Sequence, residues 1–223
     1  MMIYRIIFLL LLVPVLAFAE SRPFNCFNDL PDGAIALKKL QDKYSTVKTM
    51  SARFVQNSHL AALDTSELSQ GSLLFSKPGK MRWSYEQPET QEFISNGETL
   101  WFYQPADNQV LVDRFKNSFQ SDLPVSFLLG IGDLNKQFSL KGSCKSDAGI
   151  VLQLAPKKSQ DDLQTIKILV DDKEFLPLGA ELFDVAGNKN SFLFSQLSTN
   201  KAIQDSTFNP KFPKGTDIID NRK

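Results

Sequence analysis

Residues 71–103 constrain the fold most. Four short segments, 72–76, 80–86, 91–95 and 99–103, carry large apolar side chains on alternate positions, and Pro78-Gly79, Gln87-Pro88 and Asn96-Gly97 separate them. Asn-Gly between two such runs is a strong hairpin signal. Side chains alternate faces along a strand. Leu73, Phe75 and Lys77 therefore share one face, and Met81, Trp83 and Tyr85 share one face across the turn, while Leu74 stands opposite Leu73. Both faces of the first strand are thus apolar, unlike a sheet with one solvated face. Either a helix covers the far face or the sheet encloses something.

Further strands are expected at 51–56, 108–113, 137–141, 150–155, 165–170, 178–183 and 191–197. Turns about every ten residues imply a barrel or sandwich. Residues 31–48 read as a helix, with Ile35, Leu37, Leu40, Tyr44 and Val47 at roughly helical spacing and Pro31 and Asp32 suited to its first turn. Residues 123–129 read as one or two helical turns between Asp122 and Gly130. These two segments are the expected covers of the sheet. Residues 57–69 are polar and small and read as a mobile loop or an irregular strand. Residues 208–220 form a Pro-rich tail that still carries Phe212, Ile218 and Ile219.

The first nineteen residues have the pattern of an export signal: Arg5, an apolar core over 6–13, then Ala17-Phe18-Ala19. Cleavage before Glu20 leaves one domain, 20–223, and an uncleaved anchor is the alternative. The apolar core is short for a membrane span. Cys26 follows Arg22-Pro23-Phe24-Asn25, which is not the small apolar box that precedes a lipid-modified cysteine, so the expectation is a soluble, exported chain. Without Arg5 the charges nearly cancel, which offers no basic footprint for nucleic acid. Phenylalanine is abundant at 18, of which only Phe8 and Phe18 fall in the signal, and the excess suits a second apolar surface such as a cavity.

In an oxidising compartment Cys26 and Cys144 read as a disulfide, with two buried thiols as the alternative. They do not form a C-x-x-C redox pair. His59 is the single histidine and has no partners at metal-ligand spacing. Phosphate-loop, dinucleotide and nucleophile-elbow motifs do not occur. Asp161-Asp162 and Asp171-Asp172 read as turn residues. No catalytic residue, cofactor or metal site is expected. Trp83, Trp101 and Tyr103 also fit ordinary sheet core, and Lys77 fits a solvated strand end.

Several stretches, in order, resemble the LolA family of periplasmic outer-membrane lipoprotein carriers. They are Met50-Ser51-Ala52-Arg53-Phe54-Val55-Gln56, Ser76-Lys77-Pro78-Gly79-Lys80-Met81-Arg82-Trp83, Ile94-Ser95-Asn96-Gly97, Leu100-Trp101-Phe102-Tyr103, Gly132-Asp133-Leu134, Pro213-Lys214-Gly215 and Asp220-Asn221-Arg222-Lys223. The resemblance implies a mainly β fold, an unclosed antiparallel β-barrel with short α-helices forming a lid over an apolar cavity. It implies acylated lipoproteins as cargo, received from an inner-membrane lipoprotein-releasing ABC transporter. Delivery would go to a lipid-anchored, LolB-like outer-membrane receptor, with the carrier acting as a periplasmic monomer. The missing lipid-modified cysteine favours carrier over receptor. A LolA-like module that binds or senses another lipid is the second reading. On this resemblance the acyl-chain cavity draws on Tyr44, Phe54, Leu73, Phe75, Met81 and Trp83, on Phe93, Trp101 and Tyr103, and on Phe127 and Leu128 of the lid. Lys77 stands where the family often has an arginine that latches the lid; lysine keeps the charge but lacks the planar fork of donors.

Overall fold

A computed structural model describes residues 23–118, 133–158 and 163–222. In chain order these form β1 (Asn28–Asp29), α1 (Gly33–Ser45), β2 (Thr49–Leu60), β3 (Thr65–Ser76), β4 (Lys80–Gln87), β5 (Gln91–Asn96), β6 (Thr99–Gln104) and β7 (Gln109–Arg114). They continue with α2 (Phe115–Ser118), α3 (Leu134–Gln137), β8 (Phe138–Ser146), β9 (Gly149–Pro156), β10 (Leu163–Val170), β11 (Pro177–Asp184), β12 (Lys189–Thr199), a 3-10 turn at Asp205–Phe208 and β13 (Asp217–Asp220). The expected signal peptide and the expected helical turns at 123–129 lie outside the described residues.

The strands form one sheet in the order β1-β8-β9-β10-β11-β12-β2-β3-β4-β5-β6-β7-β13. Its two edges, β1 and β13, do not pair with each other, so the barrel is unclosed. Pairing is antiparallel except for β13, which lies parallel to β7 with Ile218 opposite Val110. One apolar cluster joins side chains of β2, β3 and β4 to those of β9 and β10, including Leu73, Leu152 and Ile168. These strands stand far apart in the order, so the sheet curves around the cluster and defines an inner face.

The hairpins behave as their turn residues dictate. At Asn96-Gly97 the Asn96 carboxamide oxygen accepts from the backbone of Glu98 and Thr99 at 3.0 and 2.9 Å, and Gly97 takes φ +95°. That left-handed backbone favours glycine. Gly71 is needed for a different reason: a Cβ there would stand 1.9 Å from the Ser84 carbonyl oxygen.

Two expectations change. Of residues 57–69, the strand alternative holds rather than the mobile loop: β2 and β3 pair from Thr49–Ser76 to Leu60–Thr65, and only 61–64 form the turn. Past Gln56 this hairpin leaves the core, and Leu60, Leu63 and Leu68 are exposed. Neither face is there selected for burial, so the apolar alternation that marks a strand is absent. The second change concerns what covers the outer face of β4–β7. The C-terminal segment does so, with Phe208 fully buried, β13 paired along β7, and Ile94, Val110 and Val112 of the sheet buried. Lys80 Nζ meets Asp205 at 2.8 Å, and the Tyr103 and Phe212 rings lie 5.2 Å apart. On β4–β7 the sheet thus has an enclosed inner face and a tail laid across its outer one.

Helix α1 buries Ala36, Leu37, Leu40 and Tyr44, a stripe at i, i+1, i+4 and i+8 that faces the cluster. Ile35 is 53 % exposed, on the opposite side of the helix from the one its spacing suggested. The entry to α1 is fixed to β8. Cys26 and Cys144 form a disulfide, β1 pairs with β8, and Ser143 Oγ donates to the Leu30 carbonyl at 2.5 Å. Phe24 adds a small outer cluster with Val151, Leu169 and Cys144.

Candidate functional site: the inner apolar face

The register arranges the inner face in rows. Met50, Phe75 and Met81 stand opposite one another in the first row, and Ala52, Leu73, Trp83, Phe93 and Phe102 make the second. Phe194, Phe54, Gly71 and Tyr85 make the third. The rings interlock: Phe54 lies 5.1 Å from both Trp83 and Tyr85, Trp83 lies 5.5 Å from Phe192, and Phe93 stacks on Phe102 at 4.4 Å. Tilted and edge-on pairs of this kind are favoured by the ring quadrupole. Burial pushes the Tyr85 phenol up to about 12.

Of the residues expected to line a cavity, Tyr44, Phe54, Leu73, Phe75, Met81 and Trp83 belong to this cluster, and Phe93 packs against it. Trp101 and Tyr103 do not reach it, which corrects their assignment. Trp101 stands opposite Ile94 and Tyr103 opposite Glu92, on the outer face under the C-terminal segment. Their neighbour Phe102 is the inner residue. Strand β6 is apolar on both sides, so parity alone could not choose its inner face. Phe192 was also missed, because in 191–197 nothing marks one face over the other. Phe127 and Leu128 lie outside the described residues.

Lys77 closes the α1 end. Its Nζ donates to the Tyr44 carbonyl oxygen at 2.7 Å and sits 3.5 Å from the centre of the Tyr44 ring. That carbonyl also accepts from Val47 at 3.2 Å, at the helix C-terminus, where carbonyls lack intrahelical partners and favour a cation. A cation over an aromatic face gains further attraction. Burial acts against the ammonium and pushes Lys77 down to about 8 from its ordinary 10.5. The contact therefore binds α1 through a charge whose desolvation opposes it. The other side of α1 is held by Lys43 to Glu174 at 2.7 Å and by Lys39 over the Phe175 ring.

A pH effect follows with a defined sign. Between about pH 8 and 10.5 the folded, latched protein has released the Lys77 proton while the unfolded chain still holds it, so stability rises with pH in that window. Wild type should gain stability relative to Lys77→Met as pH is raised from 7 to 10, measured by urea unfolding at each pH. A difference that stays constant or reverses would show that Lys77 is not buried against α1.

His59 is at the far end of the β2–β3 hairpin, with Nδ1 3.1 Å from Ser66 Oγ. Among the described residues no group of three or more His, Cys, Asp or Glu could hold a metal ion.

The protein is thus of one class by its fold, an unclosed half-barrel whose apolar inner face lies beneath a helix. The family model described as "Outer membrane lipoprotein carrier protein LolA" matches residues 45–211. An outer-membrane lipoprotein carrier protein of Methylobacillus flagellatus is 30 % identical over 84 % of this chain and 89 % of its own length. One from Cupriavidus pinatubonensis is 31 % identical over 83 % of this chain and 88 % of its own length. A crystal structure of an uncharacterized conserved protein from Thermus thermophilus superposes with a TM-score of 0.55 at 12 % identity, covering 85 % of this chain and 99 % of that one, which speaks to the fold alone. The chain belongs to the LolA family.

Proposed function

We propose that this chain is a periplasmic carrier, without catalytic activity, for the acyl anchors of lipoproteins. The observation that carries the reading is the aromatic and aliphatic inner face beneath α1, in a chain that belongs to the LolA family. Each acyl methylene moved from water into such a face is worth about 0.8 kcal/mol, so an exposed lipoprotein anchor needs a shelter to cross an aqueous space. Non-directional contact with Phe, Leu and Met side chains tolerates varied cargo.

Residues 1–19 are cleaved on export, and 20–223 work as one domain. Cargo enters from an inner-membrane lipoprotein-releasing ABC transporter and leaves to an outer-membrane receptor. Tyr44, Phe54, Leu73, Phe75, Met81, Trp83 and Phe93, with Phe127 and Leu128, take up the acyl chains. Lys77 is the latch between β3 and α1. The opposition between its contacts and its desolvation keeps that latch weak enough to open. The test is release of lipoproteins from spheroplast membranes by the purified mature chain.

A further inference from the structure

The inner face changes character along its strands. The rows nearest α1 are apolar: Met50, Phe75 and Met81, then Ala52, Leu73 and Trp83. Beyond Phe54 and Tyr85 the rows become polar. Gln56 stands opposite Ser69, and Ser58 opposite Glu67 and Asn190. These side chains are wired together. Tyr85 donates its hydroxyl to Gln56 Oε1 at 2.7 Å, and Gln56 Nε2 donates to Ser58 Oγ and Asn190 Oδ1, each at 3.0 Å.

Trp83 stands in the apolar row next to Phe54 and Tyr85, two rows from Gln56. Its rings touch Phe75 on the α1 side, and Phe54, Tyr85 and Phe192 on the polar side. Trp83 is 8 % exposed, yet its Nε1–H finds no acceptor among the described residues. Buried donors are nearly always satisfied, and an unmet one costs folding free energy that a phenylalanine would not. A donor held at this cost within apolar lining, two rows from the polar network, matches a ligand whose apolar tail ends in a carbonyl.

We propose that Trp83 Nε1 donates a hydrogen bond to the ester or amide carbonyl of a bound acyl group. The tails then lie toward Met50, Phe75 and Met81, and the polar end of the ligand leaves toward Gln56, Ser58 and Asn190. The inference rests on the reading of the inner face as an acyl site and adds the ligand's functional group and direction. The carbonyl reaches the indole when α1 is released from Lys77, since the donor is buried beneath the closed cluster.

The test compares a short-chain diester glycerophosphocholine, as monomer, with its diether counterpart, whose tails match but which lacks the carbonyl oxygens. Wild type should bind the diester roughly three- to tenfold more tightly, the size of one net hydrogen bond. Trp83→Phe should bind both alike, without the preference for the diester. The unliganded variant should still unfold in one cooperative urea transition, since phenylalanine keeps one ring of the packing while losing part of the indole's contacts. A second readout needs no variant affinity. The chain has two tryptophans, and one indole N–H resonance should move downfield with the diester and not with the diether. Equal wild-type affinity for both probes, a preference that survives in Trp83→Phe, or an indole signal indifferent to the diester would each overturn the proposal while leaving the acyl site standing. Failure of both probes to bind folded wild type would remove the acyl reading itself, and this inference with it.

Discussion

Phe54→Ala should lower the free energy of unfolding by about 3 to 5 kcal/mol, the range for deleting a large buried ring whose cavity cannot collapse. Phe54 is 1 % exposed and meets both Trp83 and Tyr85 at 5.1 Å between ring centres. It stands opposite Gly71 on one side and Phe194 on the other. Gly71 has no side chain to move into the gap, and its backbone lies against Ser84. The neighbouring rings are themselves locked by further contacts, so relaxation is limited. With a total stability of about 5 to 15 kcal/mol for a domain, such a loss leaves the variant marginal. Urea unfolding followed by tryptophan fluorescence measures it. A loss below about 1 kcal/mol would mean that the inner face is open enough for the site to refill, and that the packing described for the third row is wrong.

Replacing Cys26 and Cys144 together by serine should cost about 4 to 5 kcal/mol. The disulfide spans 118 residues. In the chain-entropy account, closing a loop of that length restricts the unfolded chain by about that amount. A local effect adds to it. The bridge fastens the segment before α1 to β8, next to the β1–β8 pairing and the Ser143 bond to Leu30, and Phe24 packs two residues before it. The double variant should unfold at lower urea, and α1 amides should exchange with solvent faster than those of β9 and β10. Reductant should lower the stability of wild type to that of the variant and leave the variant unchanged. Equal urea midpoints for wild type and variant would show that the bridge contributes nothing, and that noncovalent contacts alone hold the entry to α1.

Much of the sheet was legible because burial imposes a period of two. Residues 72–86 alternate clearly, and the rows built on Leu73, Phe75, Met81 and Trp83 follow from their parity and the turns between them. Failures came where that period is lost or doubled. Past Gln56 the β2–β3 hairpin projects beyond the core, and its composition resembles a loop because neither face is buried. In β6 both faces are apolar, since the C-terminal segment covers the outer one. Choosing Phe102 over Trp101 as an inner residue therefore required the register with β5. That segment was itself read as a Pro-rich tail, because a single buried anchor such as Phe208 leaves no periodic trace. Polar Gln56, Ser58 and Asn190 drew no attention either; their linkage exists only once β12 lies beside β2. Lys77 could be singled out through the family resemblance, but its contact with the Tyr44 carbonyl depends on where α1 ends.

The central claim is that this chain shelters acyl anchors. The most direct measurement is intact mass spectrometry of whatever the purified, mature protein releases from spheroplasts. The account predicts a triacylated lipoprotein that co-elutes with the chain as a one-to-one complex. Release of no lipoprotein by protein shown to be folded would contradict it.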